Sequence, residues 1–111
     1  TVMILRLGVR QRDLPERQID VAAAAIIGRS ASSEVPLDDA SVSSRHCRVF
    51  FHDNHAFIED LNSTNGTEVN GQTVSATAEL RDGDEIALGE TRIRVELRVE
   101  DCARSSAFSG D

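Results

Sequence analysis

An all-β fold, a two-sheet antiparallel β-sandwich of about ten to eleven short strands, is predicted by three features of this sequence. Turn signals recur roughly every eight to twelve residues, among them Gly28, Asp53-Asn54, Asn65-Gly66, Asn70-Gly71 and Asp82-Gly83-Asp84. Apolar and polar residues alternate in the last apolar segment, where Ile93, Val95, Leu97 and Val99 face one way and arginines and glutamates the other. No stretch has helical periodicity over a useful length, and there is no internal repeat.

The elements follow in order. Val2–Leu7 is apolar and reads as the first strand. Gly8–Asp20, rich in Arg, Gln and Asp and containing Pro15, is expected to be a loop or long hairpin connection. Ala22–Ile27 has four alanines that favour helix by propensity, but the run is short and stops at Gly28, which suits a strand. Gly28–Ser44 is polar and serine-rich, with room for a short strand around Val35–Leu37; a polar segment this long inside a small domain points to function. His46–Phe51 and Ala56–Leu61 form a hairpin across Asp53-Asn54, with His46 expected on the polar side of its strand. Short strands flank Asn70-Gly71 at Thr67–Val69 and Gln72–Val74. Glu85–Leu88 and Arg92–Val99 make a last hairpin across Gly89-Glu90. Residues 1–100 are read as one domain and 101–111 as a tail or linker.

Composition narrows the function classes. The chain has 111 residues, enough for one core, and 40% are hydrophobic, but with no Trp or Tyr and four Phe the core must be built from Val, Ile, Leu and Ala. The net charge of −7 argues against nonspecific nucleic-acid binding. All twelve basic residues are Arg, whose planar fork suits phosphate or carboxylate better than the point charge of Lys. No run approaches the roughly 20 apolar residues of a membrane span. Nothing resembles a signal peptide; the chain opens on Thr1 and is read as a piece of something longer. Cys47 falls among apolar residues and Cys102 in the polar end, too few for a disulfide framework and without metal-site spacing, in keeping with a cytoplasmic setting. No metal or cofactor is implied; the acidic pairs at Asp38-Asp39 and around Gly83 read as turn formers.

The stretch Asn62-Ser63-Thr64-Asn65-Gly66-Thr67 organises the rest. Asn-Gly steps allow positive φ at little cost, so two of them five residues apart mark a rigid polar corner. Three further features line up with it: Gly28-Arg29 after a strand, Ser43-Ser44-Arg45-His46 before one, and Val69-Asn70-Gly71. In order and spacing, about 15, 20 and 5 residues apart, they resemble the forkhead-associated (FHA) domain, and the resemblance runs from about Ile4 to Leu97.

The resemblance implies a β-sandwich whose loops grip phosphothreonine. It makes Arg29 the arginine on the phosphate, Ser43 and Ser44 donors to its oxygens, Arg45 a second basic residue and Thr64 a hydroxyl or backbone donor. Asn65 becomes the side chain on the peptide backbone. Gly28, His46, Gly66, Asn70 and Gly71 fall at positions that hold the loops in shape. The implied partner is a phosphothreonine-containing protein or peptide, a phosphorylated segment of the parent chain included. The chemistry agrees: a phosphothreonine carries about −1.5 to −2 charges and three acceptor oxygens, which several converging donors must satisfy. Two other classes compete: a phosphate-independent assembly domain, as in secretion machinery, and an enzyme. Relatives of the first kind typically lack the arginine and serine present here. For the second, no nucleophile elbow, P-loop or zinc motif is present.

Overall fold

The computed structural model describes residues 2–100; Cys102 and the expected tail lie outside the described residues. Eleven strands form: β1 (Val2–Arg10), β2 (Arg17–Val21), β3 (Ala24–Gly28), β4 (Val35–Pro36), β5 (Cys47–His52), β6 (His55–Asp60), β7 (Glu68–Val69), β8 (Gln72–Thr73), β9 (Thr77–Leu80), β10 (Glu85–Leu88) and β11 (Thr91–Glu100). One sheet runs β2-β1-β11-β10-β7-β8 and the other β4-β3-β5-β6-β9. The expected two-sheet sandwich is therefore what forms. Its one departure from antiparallel pairing is β4, which lies parallel to β3 with Ile27 opposite Val35.

The core is aliphatic. Leu5, Leu7, Val9, Ile86, Leu88, Ile93 and Val95 from one sheet meet Ala25, Ile27, Cys47, Val49, Ala56, Ile58 and Leu80 from the other, all buried. Period-two alternation does this directly: in β11 the residues Ile93 and Val95 point in while Arg92, Arg94 and Glu96 stay exposed. Burial pushes the Cys47 thiol well above its ordinary value, so it behaves as a small apolar residue. Among the described residues no helix is long and apolar enough to cross a membrane.

Two expectations are corrected. Gly8–Asp20 is not one connection: Gly8–Arg10 extends β1, and Arg17–Val21 is a strand paired with it, Leu7 opposite Ile19. The hydrophobic pattern hid this strand because β2 is an edge whose outer residues are polar, with Asp20 answering Arg6 across the pair at 2.9 Å. His46 does not sit on a polar strand face. It precedes β5 and is fully buried.

Strand pairing places the chain ends of β1, β3, β6 and β10 and the starts of β5 and β11 at one end of the sandwich, since Arg10 lies opposite Arg92, Ile27 opposite Cys47 and Cys47 opposite Asp60. The carboxylate of Asp39 joins the sheets there: it accepts bonds from the amide of Glu90 and the hydroxyl of Thr91. Gly28-Arg29, Ser43–His46 and Asn62–Thr67 open at this end, whereas Val69-Asn70-Gly71 does not.

Candidate functional site

Gly28 fixes the first approach. A Cβ there would stand 2.1 Å from the carbonyl oxygen of Ser44, so only glycine lets the β3 end lie against the 43–45 loop. Backbone bonds then lock the two together: the Arg29 amide donates to the Ser43 carbonyl at 2.9 Å and the Ser30 amide to the Ser44 carbonyl at 3.1 Å.

Ser43 is the junction of three loops. Its carbonyl takes Arg29, its hydroxyl oxygen accepts the Thr64 amide at 3.0 Å, and its own amide donates to Nδ1 of His46 at 3.1 Å. Since Nδ1 accepts from an N–H, the ring proton is on Nε2, which donates to the Gly66 carbonyl at 2.8 Å. One neutral, buried imidazole therefore ties the 43–46 loop to the 62–67 loop.

The 62–67 corner is braced from below. Asp60 accepts from the amide and hydroxyl of Ser63 and from the hydroxyl of Thr67, and the Ser63 hydroxyl oxygen accepts the Gly66 amide. Burial alone would raise the Asp60 carboxyl, but the bonds from Ser63 and Thr67 outweigh it and hold the group below its ordinary value. Asp39 follows the same pattern, with burial opposed by the Ser41 amide, the Thr91 hydroxyl and the Glu90 amide. Gly66 has a φ of +84°, reached without strain by glycine. Ser63 is thus a brace and not a free donor, and neither Asp39 nor Asp60 was singled out from sequence as part of the site. The spacing of Asp60 to Ser63, an acid three residues before a serine in a turn, is the signal that was available.

The residues left over face solvent. Arg29, Ser44, Arg45, Thr64 and Asn65 are exposed and Ser43 is half-buried. Among the described residues no hydrogen bond or ion pair engages the guanidinium of Arg29 or Arg45. The Thr64 amide is already used by Ser43, so its hydroxyl is the group available to a ligand. Asn65 donates to the Ser41 carbonyl at 2.8 Å, which holds the side chain upright with its carbonyl oxygen and second N–H free. The main chains at Arg29 and Thr64 therefore both hydrogen-bond to Ser43 directly.

Asn70 and Gly71, expected to shape the binding loops, serve another junction. The Asn70 side chain donates to Asp84 at 3.0 Å and accepts the Glu85 amide at 3.0 Å, fastening the β7–β8 hairpin to the β9–β10 turn at the far end of β10. Beside the corner, the Val74 amide closes the hairpin on the Thr67 carbonyl at 2.8 Å. No cluster of His, Cys, Asp and Glu among the described residues has the geometry to hold a metal ion.

Sandwich, loop junction and sequence spacing meet in one comparison: the FHA domain family matches residues 25–89. The chain belongs to the FHA domain family. FHA domains are binding modules. FhaA of Mycobacterium tuberculosis is 43% identical over 72 residues, 65% of this chain but 14% of that protein. FhaB of the same organism is 30% identical over 102 residues, covering 80% of this chain and 66% of FhaB. This FHA chain spans well under half the length of several curated relatives it matches, 40% in the case of the glycogen accumulation regulator GarA. Among solved structures, one from a structural and functional analysis of phosphothreonine-dependent FHA domain interactions is 36% identical with a TM-score of 0.76, covering 90% of this chain and 100% of that one. The FhaA FHA domain in complex with the intracellular domain of Rv3910 is 37% identical with a TM-score of 0.72, covering 85% of this chain and 99% of that one.

Proposed function

We propose that this FHA domain binds phosphothreonine-containing segments of partner proteins, or of its own parent chain, and carries out no catalysis. The observation that carries the reading is the exposed, unpartnered Arg29, whose main chain is hydrogen-bonded to Ser43, itself bonded to Thr64. In this reading Arg29 meets the phosphate charge, with Ser43, Ser44, Thr64 and Arg45 supplying further donors and Asn65 holding the peptide main chain. Hydrogen bonds to charged groups contribute about 1.5–3 kcal/mol each, so one arginine and two or three hydroxyls suffice to offset the cost of association. Gly28, His46 and Gly66 hold the loops.

Relatives support the reading: the 36% identical structure concerns phosphothreonine-dependent FHA domain interactions, and the FhaA FHA domain is seen in complex with the intracellular domain of Rv3910. A cytoplasmic setting goes with the proposal, because phosphothreonine is made where ATP-dependent kinases work. A hydrolytic role for Ser43 finds no support in the geometry, since the His46 ring faces the Ser43 amide and not its hydroxyl.

The deciding measurement is titration of a phosphothreonine peptide against its unphosphorylated twin. The expected outcome is binding of the first alone; equal affinity for both would instead assign the domain to phosphate-independent assembly.

A further inference from the structure

We propose that Asn65-Gly66 is a self-modifying site, at which loss of ammonia turns the domain off and bound peptide delays the loss; the off state rests on the phosphothreonine reading above. In an Asn-Gly step the glycine nitrogen can attack the side-chain carbonyl carbon of the asparagine. The N–Cγ bond forms, the Cγ–Nδ2 bond breaks, and the side-chain nitrogen leaves as ammonia with the proton the glycine gives up. Water then opens the resulting succinimide ring to aspartate, or to isoaspartate, which carries an extra carbon in the main chain. No oxidant, metal or enzyme is required.

The site has the access this reaction needs. Asn65 is exposed, and no atom lies within 4 Å of the place a Gly66 side chain would take, so nothing crowds ring closure. The Asn65 side chain is held by one bond, from Nδ2 to the Ser41 carbonyl at 2.8 Å. The attacking group is guarded. The Gly66 N–H donates to the Ser63 hydroxyl oxygen at 3.0 Å, and that hydroxyl is itself fixed on Asp60 at 2.6 Å. A nitrogen whose proton is engaged in this way attacks only when the bond opens, so the Ser63 hydroxyl sets the rate.

Asn70-Gly71 is the internal comparison. Both ends of the Asn70 side chain are held, by Asp84 and by the Glu85 amide, at the far end of the sandwich. Conversion there leaves the Arg29 end untouched. At Asn65 it places a new carboxylate beside the cluster that meets the phosphate. The extra carbon of isoaspartate also draws the Gly66 carbonyl off Nε2 of His46, which it meets at 2.8 Å. A peptide bonded to Asn65 keeps that side chain from turning onto the Gly66 nitrogen.

The test ages the domain at mildly alkaline pH and follows the amide-to-acid mass gain in the fragments holding Asn65 and Asn70. Conversion at Asn65 is expected, slowed about tenfold when free phosphothreonine peptide stands at about ten times its dissociation constant, with Asn70 indifferent to the peptide. Ser63→Ala, which frees the Gly66 N–H, is expected to convert faster. The converted domain, separated by its added negative charge, is expected to bind the peptide about tenfold more weakly or worse. No conversion at Asn65 in either protein, a rate that neither peptide nor Ser63→Ala changes, or a converted form that binds as tightly as the fresh domain overturns the proposal. The peptide arm needs no substitution, so the test stands even where Ser63→Ala does not fold. Equal binding of phosphorylated and unphosphorylated peptides by the fresh domain overturns the phosphothreonine reading instead, and the conversion is then judged on Ser63→Ala alone.

Discussion

The two ends of the sandwich are built from the same residue types and use them in opposite ways. At the far end, Asn70 closes on Asp84 and Glu85, Asp84 on the Arg81 amide and Asp82 on the Leu97 amide. Each of these polar side chains is used up in shaping its own turn. At the Arg29 end the shaping falls to an underlying set, His46, Asp39, Asp60 and Ser63, while the side chains of Arg29, Ser44 and Arg45 and the Thr64 hydroxyl are held at the surface with no hydrogen bond among the described residues. The difference teaches how to separate a binding loop from a turn: composition does not do it, but a second layer of buried braces beneath exposed and unengaged donors does.

The sharpest way to break this contrast is to remove the brace. His46→Ala deletes both bonds of the ring, leaves a cavity under the loops and leaves the half-buried Ser43 amide and Gly66 carbonyl without these partners, so stability is expected to fall by about 3 kcal/mol or more. Urea unfolding measures it, and a loss below about 1 kcal/mol would mean the loops hold without the ring. Next, Arg29→Ala should weaken phosphopeptide binding more than about tenfold, or about 1.4 kcal/mol, with the unfolding midpoint unchanged. Asn70→Ala is its mirror image: a loss of about 1 kcal/mol in stability with the dissociation constant for the phosphopeptide unmoved. If Asn70→Ala were instead to impair binding as much as Arg29→Ala, the two ends would not be functionally distinct.

Acid gives the finest separation. Binding should weaken as pH falls through roughly 6, where phosphate takes up its second proton, with the loops intact. The carboxyls of Asp39 and Asp60 are both held below the ordinary 3.8. Their stabilising contribution is therefore fully present above that value and is lost only as pH drops through the lower folded values. Amide exchange at Ser63 and Gly66 should stay slow at pH 5 and quicken below about 3.8. Loss of protection already at pH 5 would contradict the assigned braces.

How far all this could be read from the chain differs by element. The hairpin of β10 and β11 was plain, because Ile93, Val95 and Leu97 alternate with charged residues and one face alone is buried. The Asp53-Asn54 turn was plain too, and both residues take the left-handed φ, 51° and 64°, that a two-residue hairpin of this hand requires. β2 and β9 escaped notice for a shared reason: each is an edge strand whose pattern is dominated by the solvent side, Arg17–Val21 and Thr77–Leu80. In the candidate site, the meeting of Arg29, Ser43, Thr64 and Asn65 at one end of the sandwich was legible through spacing. The burial of His46 was not, because its two partners, the Ser43 amide and the Gly66 carbonyl, are backbone groups that any sequence carries and that only the fold brings to it. The same holds for Asp39, whose value lies in reaching β11.

The crowding at Ser43, one residue answering to Arg29, Thr64 and His46 at once, has a bearing on how this scaffold is re-engineered. Retargeting by loop grafting can vary the tips freely, but the donor sequence must bring a hydroxyl to this position and keep its three-residue offset from the imidazole. A graft that shifts that offset by one would misalign all three loops together, so insertions are better placed at Asp38 or beyond Asn70 than anywhere between.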